Sequence, residues 1–127
     1  VAGEECIMRV GDLPEPMAAE AFAARVKDAL RCPAVLCSDA GKVVSRVAVV
    51  GGSGKDEIGV AMAAGADPFL TGELKYSQLS EPAGINLLVA GHFYTEAPIC
   101  ARLCEIVRTV SPEVQTDIVK SCQVTVI

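Results

Sequence analysis

Three short apolar runs, each followed by a segment of helical character, limit what this chain can fold into. Arg46 to Val50 reads as a Val-rich strand, followed by a loop at 51–54 and a helix from Asp56 to Ala64. Pro68 to Leu70 reads as a second strand, with a Thr71-Gly72-Glu73 turn and a helix from Leu74 to Glu81. Ile85 to Ala90 reads as a third, and the helix Ala97 to Val110 follows with Ile99, Leu103, Ile106, Val107 and Val110 on one face. Strands alternating with helices predict an α/β fold: a mostly parallel sheet with helices on both faces. Upstream, residues 1–16 read as a turn-rich lead-in punctuated by Gly11, Pro14 and Pro16. A helix from Met17 to Arg31 is stopped by Pro33, and Val35 to Cys37 reads as a short strand. Val114 to Ile118 and Gln123 to Ile127 are expected to close the chain as strands.

At 127 residues the expectation is a single α/β domain spanning 1–127. The chain begins at Val1, which fits a piece of a longer protein. No apolar run approaches the ~20 residues that a membrane helix needs. The net charge of -5 and scattered lysines and arginines argue against nucleic acid, because no basic stripe is present to neutralise phosphates. A small anionic substrate stays compatible, since a local positive end can override the overall sign. The six cysteines include no Cys-x-x-Cys pair, and the chain has enough apolar material to build a core without bridges. Reduced, mostly buried thiols are therefore expected, which points to the cytoplasm.

A parallel sheet places the turns after residues 50, 70 and 90 on one edge, where α/β folds bind ligands. Gly91-His92-Phe93-Tyr94-Thr95-Glu96 holds the only histidine, four residues before a glutamate. Thr95 is expected to cap the following helix, which puts His92 at a strand end and Glu96 at a helix start. An imidazole and a carboxylate there could form half of a metal site; a structural histidine is the alternative. Gly51-Gly52-Ser53-Gly54 is either a tight turn or a site where backbone N–H groups of Gly52, Ser53 and Gly54 approach an anion. It matches neither a Walker loop nor a dinucleotide fingerprint. Glu73 either complements a helix dipole or faces the same cleft as His92. Glu96, Cys100 and Cys104 recur every four residues, as a thiolate–carboxylate stripe or as core filler.

Taken in order, RVAVVGGSG at 46–54, AGADPFLTGELKY at 64–76 and AGHFYTE at 90–96 resemble the NIF-three-like family. Its members are called GTP cyclohydrolase 1 type 2 homologues or dinuclear metal centre proteins. RVGDLPEPM at 9–17 is similar to that family's mid-chain segment, so the resemblance covers only the carboxy-terminal half of a member. It implies one lobe of a two-lobed α/β protein that binds two divalent ions (zinc, iron or manganese) in a cleft and assembles into a ring, often a hexamer. The family's Gly-His-x-x-x-Glu motif matches His92 and Glu96 as metal ligands. Its other ligands, a histidine pair and an aspartate, come from the amino-terminal half, so this chain is expected to bind metal weakly or not at all. Where the family commonly continues with histidine after Thr-Gly-Glu-Leu-Lys-Tyr, this chain has Ser77-Gln78. The implied function is metal-activated water attacking a small anionic or nucleotide-like substrate, with Glu73 as a catalytic or supporting carboxylate. The alternatives are a non-catalytic metal-binding interaction or regulatory protein, and a folding unit with a vestigial cleft.

Overall fold

The computed structural model describes residues 7–81, 84–119 and 122–127. Its centre is a five-stranded sheet in the order β1-β3-β4-β5-β2. β3 (Val44–Ser53), β4 (Phe69–Glu73) and β5 (Leu87–Val89) are parallel, while β1 (Arg9–Met17) and β2 (Leu36–Ser38) add antiparallel edges to β3 and β5. The parallel core thus matches the expectation, and each edge strand runs against its neighbour. The strands are connected by α1 (Ala19–Leu30), a 3₁₀ turn at Lys55–Glu57 running into α2 (Ile58–Ala63), and α3 (Tyr76–Ser80). α4 (His92–Glu96) and α5 (Ile99–Val110) follow the sheet.

Two-residue periodicity distributes the apolar strand residues to two cores. Val47, Leu70 and Leu88 pack with Ala19, Phe22, Ala23 and Val26 of α1. Their neighbours Ala48, Phe69 and Leu87 pack on the other face with Ala61, Ile58 and Leu79 from α2 and α3. Helices therefore cover both faces. Burial of a side chain such as Phe22 or Val26 contributes roughly 1.5–3 kcal/mol each. The buried Asn86 is satisfied within this frame: its Oδ1 accepts from the Ala40 amide at 2.7 Å, and its Nδ2 donates to the Lys42 carbonyl at 2.8 Å.

Several local expectations are corrected. Residues 9–17 form a strand rather than a turn-rich lead-in; residues 1–6 of that expectation lie outside the described residues. Pro14 and Pro16 are tolerated because β1 is an edge, with an irregularity in register between Asp12 and Met17. The loop expected at 51–54 is strand through Ser53, and the turn expected at 71–73 is the end of β4. The two segments satisfy each other's backbones, pairing Val50 with Thr71 and Ser53 with Glu73. Val114–Ile118 and Gln123–Ile127 form no strand among the described residues. Alternating side chains alone do not make a strand where no ladder partner is present. No side chain of α5 is buried; Ile99, Leu103, Ile106, Val107 and Val110 remain 38–76% exposed. No described helix is long and apolar enough to cross a membrane.

Candidate metal half-site

The carboxyl ends of the three parallel strands bring together Gly52, Glu73, His92 and Glu96, residues far apart in sequence. β3 and β4 end side by side through the Ser53–Glu73 pair. The chain leaves β5 through Gly91, and α4 begins directly at His92. Thr95 is therefore not a cap but an interior residue of α4, and Glu96 is that helix's last residue. The four-residue spacing places His92 and Glu96 on one face of α4.

His92 stands between two carboxylates. Its Nδ1 lies 3.0 Å from Glu73 Oε2, and its Nε2 lies 3.3 Å from Glu96 Oε1. Both partners are acceptors, so a neutral ring can donate to only one of them; the shorter contact favours Nδ1–H toward Glu73, which leaves the Glu96 contact without a proton. Protonation turns that second contact into an attraction. The His92 pKa is accordingly raised from its ordinary 6.5, first by the hydrogen bond to Glu73 and then by the negative charge of Glu96. All three side chains are more than half exposed, which screens these interactions.

Two glycines make this approach possible. Gly52 is buried, with φ +68°, and a Cβ there would lie 2.6 Å from Glu96 Oε1 and 3.1 Å from His92 Nε2. The imidazole and carboxylate thus face a backbone position that offers no side chain. Gly72 sits where a Cβ would meet the Gly52 carbonyl at 2.7 Å and His92 Cα at 2.9 Å. Threonine hydroxyls tie the strands to the helix. The Gly52 N–H donates to Thr95 Oγ1 at 3.1 Å, and the buried Thr71 hydroxyl donates to the Gly52 carbonyl at 2.9 Å.

These bonds change the reading of Gly52-Ser53-Gly54. The Gly52 amide is already engaged, and Gly54 is buried where a Cβ would press on Thr71 Oγ1 and Phe69 Cζ at 2.7 and 2.9 Å. Only Ser53 of this segment is exposed. The Glu96-Cys100-Cys104 series is likewise broken, because Glu96 ends α4 while both cysteines lie on α5. Thr71, expected in a turn before a helix, lies instead in buried strand β4, where its hydroxyl must find an acceptor and takes the Gly52 carbonyl.

The donor set fits half of a divalent-metal site. His92 Nε2 and Glu96 Oε1 converge on the cradle above Gly52, and Glu73 engages the other ring nitrogen, as carboxylates beside metal-ligating histidines commonly do. Among the described residues no group of three or more His, Cys, Asp or Glu is placed to hold a metal ion. Glu73 and Glu96 lie on different ring nitrogens, so one ion cannot reach both beside Nε2.

Comparison with known proteins agrees with this arrangement of strands and motifs. A protein of Nostoc sp. named GTP cyclohydrolase 1 type 2 homolog is 41% identical over 76 residues, covering 58% of this chain and 29% of that protein. A protein of the same name from Pseudomonas aeruginosa is 39% identical over 92 residues, covering 71% of this chain and 36% of its own length. The chain thus spans about a third of the curated relatives it matches. In three dimensions it is similar to the Staphylococcus aureus hypothetical protein SA1388, with TM-score 0.74 and 28% identity over 80% of this chain and 35% of that one. A Bacillus cereus protein related to NIF3 matches with TM-score 0.69 and 26% identity, over 92% of this chain and 36% of the other. The family model Duf34/NIF3 (NGG1p interacting factor 3) matches residues 3–125, so the chain belongs to that family.

Proposed function

We propose that this chain supplies half of a dinuclear metal centre, with His92 and Glu96 as ligands, in a longer protein that hydrolyses a small anionic or nucleotide-like substrate. The observation carrying this reading is the pairing of His92 Nε2 with Glu96 Oε1 above a backbone position without a side chain. An imidazole with a carboxylate suits zinc, iron or manganese. Such ions supply a lowered pKa for bound water and stabilisation of developing negative charge.

The remaining work belongs to the chain's own residues. Glu73 accepts the Nδ1–H, which leaves the Nε2 lone pair for a ligand bond and fixes the ring's direction. Glu73 is thereby a positioning residue rather than the general base. Thr95 and Thr71 hold the Gly52 backbone against α4 and β4 and keep the cradle at constant width. Ser53 is the exposed polar group left at this edge to meet an anionic part of the substrate. Two ligands fall short of the three that catalytic sites usually take from protein, so the others are assigned to the part of the relatives' length that this chain does not span. The exposed α5 stripe supports assembly into a homo-oligomer; among the described cysteines only Cys32 is buried, against the expectation of mostly buried thiols, and it is their unbridged state that supports a cytoplasmic setting.

A second reading is a metal-binding interaction or regulatory protein without catalysis. It is supported by the description of the matching family as an NGG1p interacting factor. Mn²⁺ titration of the ¹⁵N-labelled chain tests the shared element of both readings. Paramagnetic broadening confined to residues around Gly52, His92 and Glu96, and lost in His92→Ala, is expected. Broadening spread evenly over the acidic surface, unchanged in His92→Ala, would overturn the half-site.

A further inference from the structure

Beside His92 and Glu96, which line part of it, the chain forms a cavity whose remaining walls the metal reading does not use. Its volume is about 600 Å³, within the ~300–1,000 Å³ typical of small-molecule sites. Its walls are apolar: Ala34 and Leu36 at β2, Val89 at the end of β5, Phe93 and Tyr94 on α4, and Val124. The two aromatic rings lock edge to face, with centroids 5.3 Å apart and planes at 89°, which gives that wall a defined shape. Among the described residues no lysine or arginine lines the cavity, whereas His92 and Glu96 do. A triphosphate laid along these walls would find no side-chain cation among the described lining residues to receive its charges, in a chain of net charge -5.

The geometry points to this cavity as the binding site for the apolar body, aromatic or branched aliphatic, of a small molecule whose polar head lies at His92 and Glu96. The position of the head rests on the metal reading above; the seat of the body does not. Among the small anionic substrates proposed above, the cavity therefore favours one whose negative charge is confined to the head, and a polyphosphate is a poor match.

Benzohydroxamate, a phenyl ring carrying a metal-ligating head, is the probe, with GTP as the contrasting chemistry. Each is titrated into the ¹⁵N-labelled chain with and without Zn²⁺. Benzohydroxamate is expected to shift the amides of Ala34, Leu36, Val89 and Tyr94 in both conditions, more tightly with Zn²⁺. Leu36→Lys is expected to weaken it about tenfold by placing a charge in the apolar wall. GTP is expected to leave those four amides unmoved. The proposal is overturned if GTP shifts them more than benzohydroxamate does, or if benzohydroxamate shifts only the α5 face or nothing. Shifts at Leu36 and Val89 without any Zn²⁺ effect at His92 would support the cavity and sink the metal reading. A Zn²⁺ effect at His92 with no probe shifts would do the reverse.

Discussion

Replacing Gly52 by alanine puts a methyl group into the space proposed for a metal ion, between Glu96 and His92. The carbon would lie 2.6 Å from Glu96 Oε1 and 3.1 Å from His92 Nε2, and the residue keeps a φ of +68°. Two costs follow. The left-handed backbone costs a residue with a Cβ roughly 1–2 kcal/mol. The side-chain clash costs little, because Glu96 is exposed and its carboxylate can swing away. At about 4 °C per kcal/mol for a chain of this size, the melting temperature should fall by about 4–8 °C while the fold persists. Metal binding should disappear altogether, because the displaced carboxylate and the methyl group remove one ligand and the space for the ion. Gly59→Ala is the control, since nothing lies within 4 Å of its Cβ and its helical position favours alanine by up to about 1 kcal/mol. Thermal melts of both variants and Mn²⁺ broadening in each would be compared. If Gly52→Ala is correctly folded and still shows wild-type broadening at His92, the cradle argument is refuted.

Other expectations follow from the same geometry. Glu73→Gln removes the largest cause of the raised His92 pKa, so an NMR pH titration should show that pKa falling toward 6.5. In the wild type the folded state holds this proton more tightly than the unfolded chain. The resulting stability is present below the unfolded pKa and lost as pH rises through the higher folded one, a small effect for an exposed ring. Thr71→Val should cost about 1–3 kcal/mol in urea unfolding, because the buried Gly52 carbonyl loses its hydroxyl donor. Phe69→Ala, truncating a fully buried ring, should cost about 3–5 kcal/mol in the same assay. On α5, Ile106→Glu should change stability by under about 0.5 kcal/mol, because Ile106 is 44% exposed in this chain.

The sheet's parallel core was legible because Val47, Leu70 and Leu88, with their alternating neighbours, had to be buried on two faces. Placement of the site followed, since parallel strands put the residues after 50, 70 and 90 at one edge. Less legible was β1: its Pro14 and Pro16 punctuate like a loop, and only the edge position beside β3 makes them compatible with a strand. Pattern also misplaced the boundary at Thr95. Its side chain resembles a helix cap in sequence, but a tertiary bond to the Gly52 amide fixes its place inside α4. The roles of Gly52 and Gly54 were hidden for a similar reason. A glycine-rich segment looks open to an anion until its neighbours are known, and here one amide is taken by Thr95 while the other glycine packs against Phe69. Period-two residues near the carboxyl terminus suggested strands, yet strand formation depends on a partner that sequence periodicity does not reveal.

Because the chain has a single histidine, its two imidazole nitrogens can be followed without ambiguity. The deciding measurement is therefore a long-range ¹H–¹⁵N spectrum of the His92 ring during Zn²⁺ titration. Nδ1 is expected to stay protonated against Glu73 while the Nε2 resonance moves to a metal-bound position, and Glu96→Gln is expected to weaken the response. A ring unaffected by Zn²⁺, or one that binds through Nδ1 with Nε2 protonated, would contradict the half-site.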